Sequence, residues 1–224
     1  MVEKQIISLD EAVSKIKDGN SIMVGGFLGC GSPESLIDSI VDKKIKNLIL
    51  ICNDSGVYNP DKNILIGVAK MVVARQFKTI IASHIGTNRE TGRQMNEGET
   101  EVVLVPQGTL AERIRAAGAG LGGILTPTGI GTEVENGKQV IEVDQKKYLL
   151  ELPLFADVAL LKAKKADKAG NLVYSKSARN FNPIMASAAK LVIAEVEEIV
   201  EIGEINPEDV ITPSIFVHYL VKSK

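Results

Sequence analysis

The 224-residue sequence contains no tryptophan, and only 4% of its residues are aromatic. Because proteins that stack nucleic-acid bases need aromatic side chains to do so, we do not expect a base-stacking surface. The charge balance points the same way: 26 lysines and arginines stand against 28 aspartates and glutamates, and the net charge of −2 offers no basic footprint for a phosphate backbone. We therefore expect no nucleic-acid partner.

Cysteine and histidine are also scarce, with two of each. Cys30 and Cys52 do not make the disulfide framework of a small secreted protein, and two distant histidines without a Cys-x-x-Cys pair argue against a metal site. No stretch approaches about 18 uninterrupted apolar residues, and the charged, amphipathic N-terminal segment lacks the apolar core of a signal peptide. These features predict a cytoplasmic protein with no bound metal and no membrane contact.

Apolar segments typical of buried strands alternate along the chain with amphipathic segments typical of helices. Strands are predicted in SIMVGG, NLILIC, TIIAS, EVVLVP, ADVALLKA and LVIAEVEEIV, and helices in LDEAVSKIKDG, PESLIDSIVDKK, NILIGVAKMVV, GTLAERIRAAGAG and NPIMASAAK. Ser8 and Glu11 have the spacing of a capping box at the first helix. Since strands separated by helices form parallel sheets with covered faces, we predict one α/β domain over residues 1–224 with an open, mainly parallel sheet.

One segment breaks this alternation of strands and helices. Residues 131–152, GTEVENGKQVIEVDQKKYLLEL, alternate between polar and apolar side chains as a half-buried strand does. The segment contains Asn136-Gly137, a dipeptide typical of the two-residue type I′ turn of a β-hairpin. We therefore predict a β-hairpin excursion from the main sheet, with its turn at this dipeptide.

A glycine-rich loop follows the strand SIMVGG. Residues 25–31 are Gly-Gly-Phe-Leu-Gly-Cys-Gly, and Ser32-Pro33 lead into a helix. Glycines let a ligand approach backbone N–H groups closely, and a helix N-terminus favours negative charge, so the loop suits a phosphate, a carboxylate or a developing oxyanion. The alternative is a tight strand-to-helix turn with no ligand. The spacing fits neither the dinucleotide-binding fingerprint nor the Walker A motif.

The stretch from Asp18 to Pro33, DGNSIMVGGFLGCGSP, resembles the signature of the α (A) subunits of family I coenzyme A transferases. That signature has an acid-Gly start, an apolar triplet and then G-G-F-x-x-x-G-x-P. Further blocks resemble the same family, above all its acetate/acetoacetyl-CoA and butyrate–acetoacetate members: IASHIGTNRETGR, VPQGTLAERIRAAGAGLGGILTPTGIGT, YLLELPL and SARNFNP. The resemblance covers nearly the whole chain and implies a NagB/RpiA/CoA transferase-like fold with helices on both faces of the sheet.

The resemblance implies that coenzyme A (CoA) moves between a short-chain acyl-CoA (acetoacetyl-, acetyl-, butyryl- or succinyl-CoA) and a free carboxylic acid. In the family a glutamate of the β subunit, within a Ser-Glu-Asn-Gly motif, attacks the thioester and then carries CoA as a glutamyl thioester. Glu135-Asn136-Gly137 matches this motif only in part, since Val134 replaces the serine. We therefore expect no catalytic glutamate in this chain, a β-subunit partner in an α2β2 assembly, CoA as a substrate, and no permanently bound cofactor.

Candidate site residues fall in two groups. The first is the glycine loop, expected to hold an oxyanion or CoA: Gly25, Gly26, Phe27, Leu28, Gly29, Cys30 and Gly31. The second consists of polar or small residues after the predicted strands NLILIC and TIIAS, at the sheet edge where α/β proteins bind ligands, as candidate pocket residues: Asn53, Asp54, His84, Gly86 and Asn88.

Two other classes of function also fit a glycine-rich loop on an α/β scaffold. A sugar-phosphate isomerase or deaminase would need an acid/base carboxylate within this chain and would work without a partner. A non-catalytic module would bind CoA or phosphate without turnover. Because fold analogy does not separate these classes, the transferase interpretation is favoured by the length of the Gly25–Pro33 match.

Overall fold

The computed structural model describes residues 2–224, and its elements confirm the predicted α/β class. The strands are β1 (Gln5–Ile6), β2 (Ser21–Val24), β3 (Leu48–Asp54), β4 (Val57–Asn59), β5 (Ile64–Ile66), β6 (Phe77–His84), β7 (Glu101–Leu104), β8 (Ile124–Thr126), β9 (Val140–Val143), β10 (Lys146–Glu151), β11 (Ala156–Asp167), β12 (Leu172–Val173), β13 (Ala189–Val200) and β14 (Tyr219–Lys222). The helices are α1 (Leu9–Ser14), α2 (Glu34–Lys43), α3 (Ala69–Val73), α4 (Arg89–Asn96), α5 (Gln107–Gly118) and α6 (Asn182–Ala186).

The main sheet has the strand order β1-β14-β13-β11-β2-β3-β6-β7, and every neighbouring pair in that order is parallel. In the main sheet, as described over residues 2–224, the one antiparallel pairing is that of β12 with β11, beside this path. Because parallel strands place their carboxyl ends at one edge, the loops that follow β2, β3, β6 and β7 are neighbours. The candidate functional site lies at this carboxyl edge of the sheet.

Hydrophobic cores lie on both faces of the sheet. Ile22 and Val24 of β2 belong to the core that also contains Ile37 of α2, whereas Met23 belongs to the core that contains Leu110 of α5. Successive side chains of a strand point to opposite faces, so a short continuous apolar strand feeds both cores. The predicted helices on both faces are confirmed. None of the helices within residues 2–224 is long and apolar enough to cross a membrane.

The capping box predicted for α1 is present. The Glu11 amide donates to Ser8 Oγ over 3.2 Å, and the Ser8 amide donates to Glu11 Oε2 over 2.8 Å. Two N–H groups that the first turn leaves without helical partners are thereby satisfied.

The single helix predicted in NILIGVAKMVV is wrong. Residues 64–66 form β5, which pairs antiparallel with β4, and only Ala69–Val73 are helical. Gly67, with φ +65°, interrupts the helix because its backbone is left-handed. The β4–β5 hairpin lies against the glycine loop, and a Cβ built on Gly29 would lie 2.4 Å from Ile66 Cγ2.

The β excursion is present, but the predicted position of its turn is wrong. β9 and β10 form an antiparallel hairpin closed by Asp144-Gln145, with φ +50° and +61°, the left-handed pair typical of a type I′ turn. Asn136-Gly137 instead forms a separate turn, closed by a 3.0 Å bond from the Lys138 amide to the Glu135 carbonyl. Burial of Leu149 and the pairing of β10 with β8 set the register of the β9–β10 hairpin. The turn preference of the Asn-Gly dipeptide does not encode these tertiary contacts.

The left-handed turn of the β9–β10 hairpin predicts a stabilising substitution. Gln145→Gly removes the strain of a side chain at φ +61°, so we expect a gain of up to about 1 kcal/mol in the free energy of unfolding, or about 2–4 °C in Tm. Gly137→Ala is the matched control, because it adds a side chain at φ +75° in open space and should lower stability. Thermal unfolding of both variants measures the effect, and a Gln145→Gly variant less stable than wild type would contradict it.

Candidate functional site

The glycine loop, residues 25–31, turns back on itself directly after β2. Phe27 and Cys30 exchange two backbone hydrogen bonds, with N···O distances of 3.0 and 2.9 Å. Between them Leu28 and Gly29 have φ of +48° and +85°, which are the angles of a type I′ turn. The loop is therefore a defined two-residue turn closed by its own hydrogen bonds.

Four of the seven N–H groups in the loop already have acceptors. Besides the Phe27–Cys30 pair, Gly25 donates to the Leu160 carbonyl (3.0 Å) and Leu28 donates to Asp54 Oδ2 (2.9 Å). The N–H groups of Gly26, Gly29 and Gly31 have no acceptor among residues 2–224. Gly26 is buried, whereas Gly29 and Gly31 are partly exposed. The loop thus has two unpaired backbone donors on partly exposed residues at the carboxyl edge of the sheet.

Close packing explains why glycine occupies several of these positions. A Cβ on Gly25 would lie 1.9 Å from Asn182 Oδ1, and a Cβ on Gly31 would lie 2.9 Å from Ala178 Cβ. The Asn182 amide also donates to the Gly31 carbonyl over 3.0 Å. The loop therefore packs closely against residues 177–183, the SARNFNP segment, and is hydrogen-bonded to it.

The N-terminal end of α2 contributes less positive charge than its position predicts. Glu195, 1% exposed, accepts hydrogen bonds from the Leu36 amide and from Ser35 Oγ, both at 3.0 Å. Its carboxylate also forms an ion pair with Lys162 at 3.2 Å. An internal anion thus occupies the helix end, so the N–H groups of the loop itself, rather than the helix dipole, are left for a ligand.

Asp54 anchors the glycine loop. Its carboxylate, in a residue only 5% exposed, accepts hydrogen bonds from the Leu28 amide (2.9 Å) and the Gly56 amide (3.0 Å), and from Asn53 Nδ2 (2.8 Å). Asn53 is 2% exposed. The two candidate pocket residues at the end of β3 therefore lie behind the loop and determine its shape.

The three candidates that follow β6 differ in exposure. His84 is exposed and lies beside Asp54 in the β3–β6 register, and Gly86 is exposed as well. Asn88 is 1% exposed: its Oδ1 caps α4 by accepting from the Glu90 amide at 3.1 Å, and its Nδ2 donates to the Ser55 carbonyl at 2.7 Å. The structure thus places His84 and Gly86 on the open edge and Asn88 in a structural cap.

The sequence reasoning missed Gln107 as an individual residue. It is the exposed first residue of α5, directly after Pro106, and its Nε2 donates to Asn53 Oδ1 over 2.7 Å. A polar residue between a strand end and a helix start, at the ligand edge of a parallel sheet, is the signal that would have identified it.

The two cysteines differ in chemical accessibility. Cys30, in the glycine loop, is exposed, and its Sγ lies 3.2 Å from Ser177 Oγ. Cys52 is buried, and burial, together with the nearby Asp54 charge, raises the pKa of its thiol far above the ordinary value. A thiol reagent applied to the folded protein therefore reports on Cys30. Within residues 2–224 no group of three or more histidine, cysteine or acidic side chains is arranged to hold a metal ion.

The fold and this edge define an α/β protein whose glycine loop carries unpaired backbone donors at the carboxyl edge of the sheet. A model of the coenzyme A transferase family matches residues 6–223. The acetate CoA-transferase subunit alpha of Escherichia coli strain K12 is 46% identical over 223 residues, covering 100% of this chain and 99% of the relative. The acetoacetyl-CoA:acetate/butyrate CoA transferase alpha subunit of Clostridium acetobutylicum is 48% identical and covers 99% of both chains.

A solved structure extends the comparison to the fold. The acyl-CoA transferase YdiF of Escherichia coli O157:H7, as a thioester complex with CoA, superposes with a TM-score of 0.87 at 22% identity. The match covers 99% of this chain and 47% of that chain, so this chain spans about half the YdiF length. The chain belongs to the coenzyme A transferase family, as its glycine-loop signature indicates.

The anchoring role of Asp54 predicts a specific loss of stability. Asp54→Asn replaces one acceptor oxygen by an N–H₂ group, so a buried donor loses its partner at a cost of about 1–3 kcal/mol. Asp38→Asn is the control, because the Asp38 side chain is half-exposed and its pair with Lys70 contributes at most about 1 kcal/mol. Urea unfolding of both variants measures the difference, and equal free energies of unfolding would show that Asp54 is not an anchor.

Proposed function

We propose that this chain is the α subunit of an enzyme that transfers CoA between a short-chain acyl-CoA and a free carboxylic acid. One observation carries the proposal: the glycine loop is held by Asp54 while the N–H groups of Gly29 and Gly31 remain unpaired and partly exposed. The named activities of the relatives support acetyl-, acetoacetyl- and butyryl-CoA as donors, with succinyl-CoA as a further candidate.

The proposed chemistry begins when a glutamate carboxylate attacks the thioester carbonyl. The C–S bond breaks, CoA leaves as a thiolate, and an acyl-glutamyl anhydride remains. The thiolate then attacks the glutamyl carbonyl, which releases the first acid as a carboxylate and leaves a glutamyl-CoA thioester. The second acid takes the CoA by the same steps in reverse.

Each attack in this sequence places negative charge on a carbonyl oxygen. A fixed N–H donor directed at such an oxygen is worth about 2.7–4 kcal/mol in other acyl-transfer sites. We propose that the loop of residues 25–31 binds the carbonyl oxygen or CoA, and that Gly29 and Gly31 provide its N–H donors. The Gln107 side chain lies at the same edge and offers an amide group to the same substrate.

We propose that the glutamate itself comes from another chain. Glu195 is buried beneath α2, and Glu34 accepts from the Gly67 amide and pairs with Lys70. Glu135 accepts a 2.6 Å bond from the Gly131 amide, in the excursion beyond the main sheet. We propose a β subunit that supplies the nucleophile, in a two-fold α2β2 assembly where residues 1–224 act as one domain.

Substrate chemistry supports two further parts of the proposal. CoA enters and leaves as a substrate, and no permanently bound cofactor is required for carboxylate exchange. Because acyl-CoA thioesters are metabolites of the cell interior, we place the enzyme in the cytoplasm, in short-chain fatty acid or ketone body metabolism.

The missing nucleophile predicts strict dependence on the partner. The purified chain alone should show no CoA transfer, and activity should appear when it is co-expressed with a β subunit. The transfer of CoA from acetoacetyl-CoA to acetate, monitored through the loss of acetoacetyl-CoA absorbance, measures this activity. Glu135→Gln is the control within this chain and should keep near-wild-type rates, since Glu135 serves a local turn. Turnover by the isolated chain would refute this division of roles.

The unpaired loop donors predict a kinetic effect of Gly29→Val. A side chain at φ +85° clashes with Ile66 and turns the Gly29 N–H away, so kcat/KM should fall by at least about 10²-fold. Gly137→Val is the matched control: it has the same left-handed backbone, at φ +75°, but no neighbour within 4 Å.

Steady-state kinetics and melting temperature measured on one preparation of Gly29→Val separate the outcomes. A fall in kcat at constant KM would place the loop's role in the transition state, and a rise in KM alone would make the loop a CoA-binding element. A stably assembled Gly29→Val enzyme with wild-type kinetics would contradict both roles.

A further inference from the structure

A chain of three hydrogen bonds joins α5 to the glycine loop. Gln107 Nε2 donates to Asn53 Oδ1 over 2.7 Å, and Asn53 Nδ2 donates to Asp54 Oδ2 over 2.8 Å. The same Asp54 oxygen accepts the Leu28 N–H over 2.9 Å. We call this chain, Gln107–Asn53–Asp54–Leu28, the amide–carboxylate link.

Asn53 occupies the centre of the amide–carboxylate link and is closed to substrate. The residue is 2% exposed, and both ends of its side-chain amide are engaged. Ser83 Oγ makes a second, longer contact with the same Oδ1, at 3.2 Å, and donates to the Asn53 carbonyl at 2.7 Å. Asn53 therefore acts on a ligand only through the groups that it holds.

The groups that Asn53 holds are on separate elements. Leu28 and Gly29 follow β2, whereas Gln107 follows β7, and β3 and β6 lie between β2 and β7 in the sheet. Backbone pairing alone does not set the distance between the ends of two loops that leave different strands. A side-chain bridge at the end of β3 does so, because β3 lies between the two loops.

We propose that Asn53 is a positioning residue that holds the Gln107 amide and the Gly29 N–H in a fixed relation, so that both face one reacting thioester. This inference rests on the proposed transferase function. A donor stabilises an oxyanion only at about 2.7–3.1 Å, so a small relative shift of the two groups removes one of them from the site. The effect should fall on the reaction step rather than on binding of the distant parts of CoA.

The first test is kinetic and uses the assembled αβ enzyme. Asn53→Ala removes both of the bonds that Asn53 makes within the amide–carboxylate link and should lower kcat by about 10²-fold, the effect typical of a 1 Å misplacement, while KM for acyl-CoA stays close to wild type. In a double-mutant cycle with Gln107→Ala, the double variant should be no slower than the slower single variant, because both changes break the same link. Additive losses, or an unchanged kcat in Asn53→Ala, would overturn the proposal.

The second test needs neither partner nor activity. The rate at which a thiol reagent labels Cys30 reports the state of the loop in the isolated chain, since Cys52 is buried. Asn53→Asp keeps an acceptor for Gln107 but sets a second carboxylate against Asp54, so it should release the loop and change the Cys30 labelling rate several-fold. An unchanged labelling rate in a folded Asn53→Asp chain would overturn the link between Asn53 and the loop.

Gln76→Ala is the matched control for both tests. Gln76 is also 2% exposed, and its amide bridges the carbonyls of Ile40 and Ile45 at 2.9 and 2.8 Å, at the opposite edge of the sheet. It should lose stability as Asn53→Ala does, with normal kcat and normal Cys30 labelling. If Asn53→Ala does not assemble, Asn53→Ser, which keeps one small polar group, is measured in its place against the same criteria.

The two tests separate this inference from the proposed function. If the wild-type αβ enzyme transfers no CoA, the transferase proposal fails, while the labelling experiment still decides whether Asn53 holds the loop. If the enzyme is active and Asn53→Ala loses stability only as Gln76→Ala does, the transferase proposal stands and the positioning role is refuted.

Discussion

The hydrogen bond from the Leu28 amide to the Asp54 carboxylate is the contact on which the geometry of the site depends. Asp54 is 5% exposed and forms no ion pair within residues 2–224, so its charge is stabilised by N–H donors alone. Burying a carboxylate is costly unless such donors are in place. The loop must therefore bring the Leu28 N–H to the carboxylate, and the left-handed turn at Leu28 and Gly29 allows it to do so.

This constraint divides the N–H groups of the loop into those that hold its structure and those that remain unpaired. The Leu28 N–H donates to the Asp54 carboxylate, and Phe27 and Cys30 close the turn with two backbone hydrogen bonds. The N–H groups of Gly26, Gly29 and Gly31 are the remainder within residues 2–224, and the loop packs so closely against Ile66 and Ala178 that Gly29 and Gly31 have no room for a side chain. An oxyanion site made of backbone donors needs this kind of preorganisation, because donors that must reorient lose their advantage over water.

Local patterns in the sequence predict the parts of this structure that depend on local physics. The continuous apolar strand 21–24, the Ser8–Glu11 capping box and the glycine loop are all encoded by neighbouring residues. The β4–β5 hairpin and the Asp144-Gln145 turn were not predicted, because tertiary register rather than turn preference decides them. The Glu195–Leu36 hydrogen bond joins residues 159 positions apart, and the Gln107–Asn53 hydrogen bond joins residues 54 positions apart. No local sequence pattern predicts either of them.

The amide at position 53 follows from the two neighbours that it must satisfy at once. Toward Asp54 the side chain has to donate, because the facing oxygen belongs to a carboxylate; toward Gln107 it has to accept, because the facing atom is Nε2. A neutral amide carries both functions in one planar group, whereas an ionised carboxylate only accepts and would repel Asp54. A threonine or serine hydroxyl carries both functions but is shorter than the gap that the amide spans. The chemical requirement at the end of β3 thus selects asparagine, and through it the loop after β2 and the helix after β7 are held as one surface.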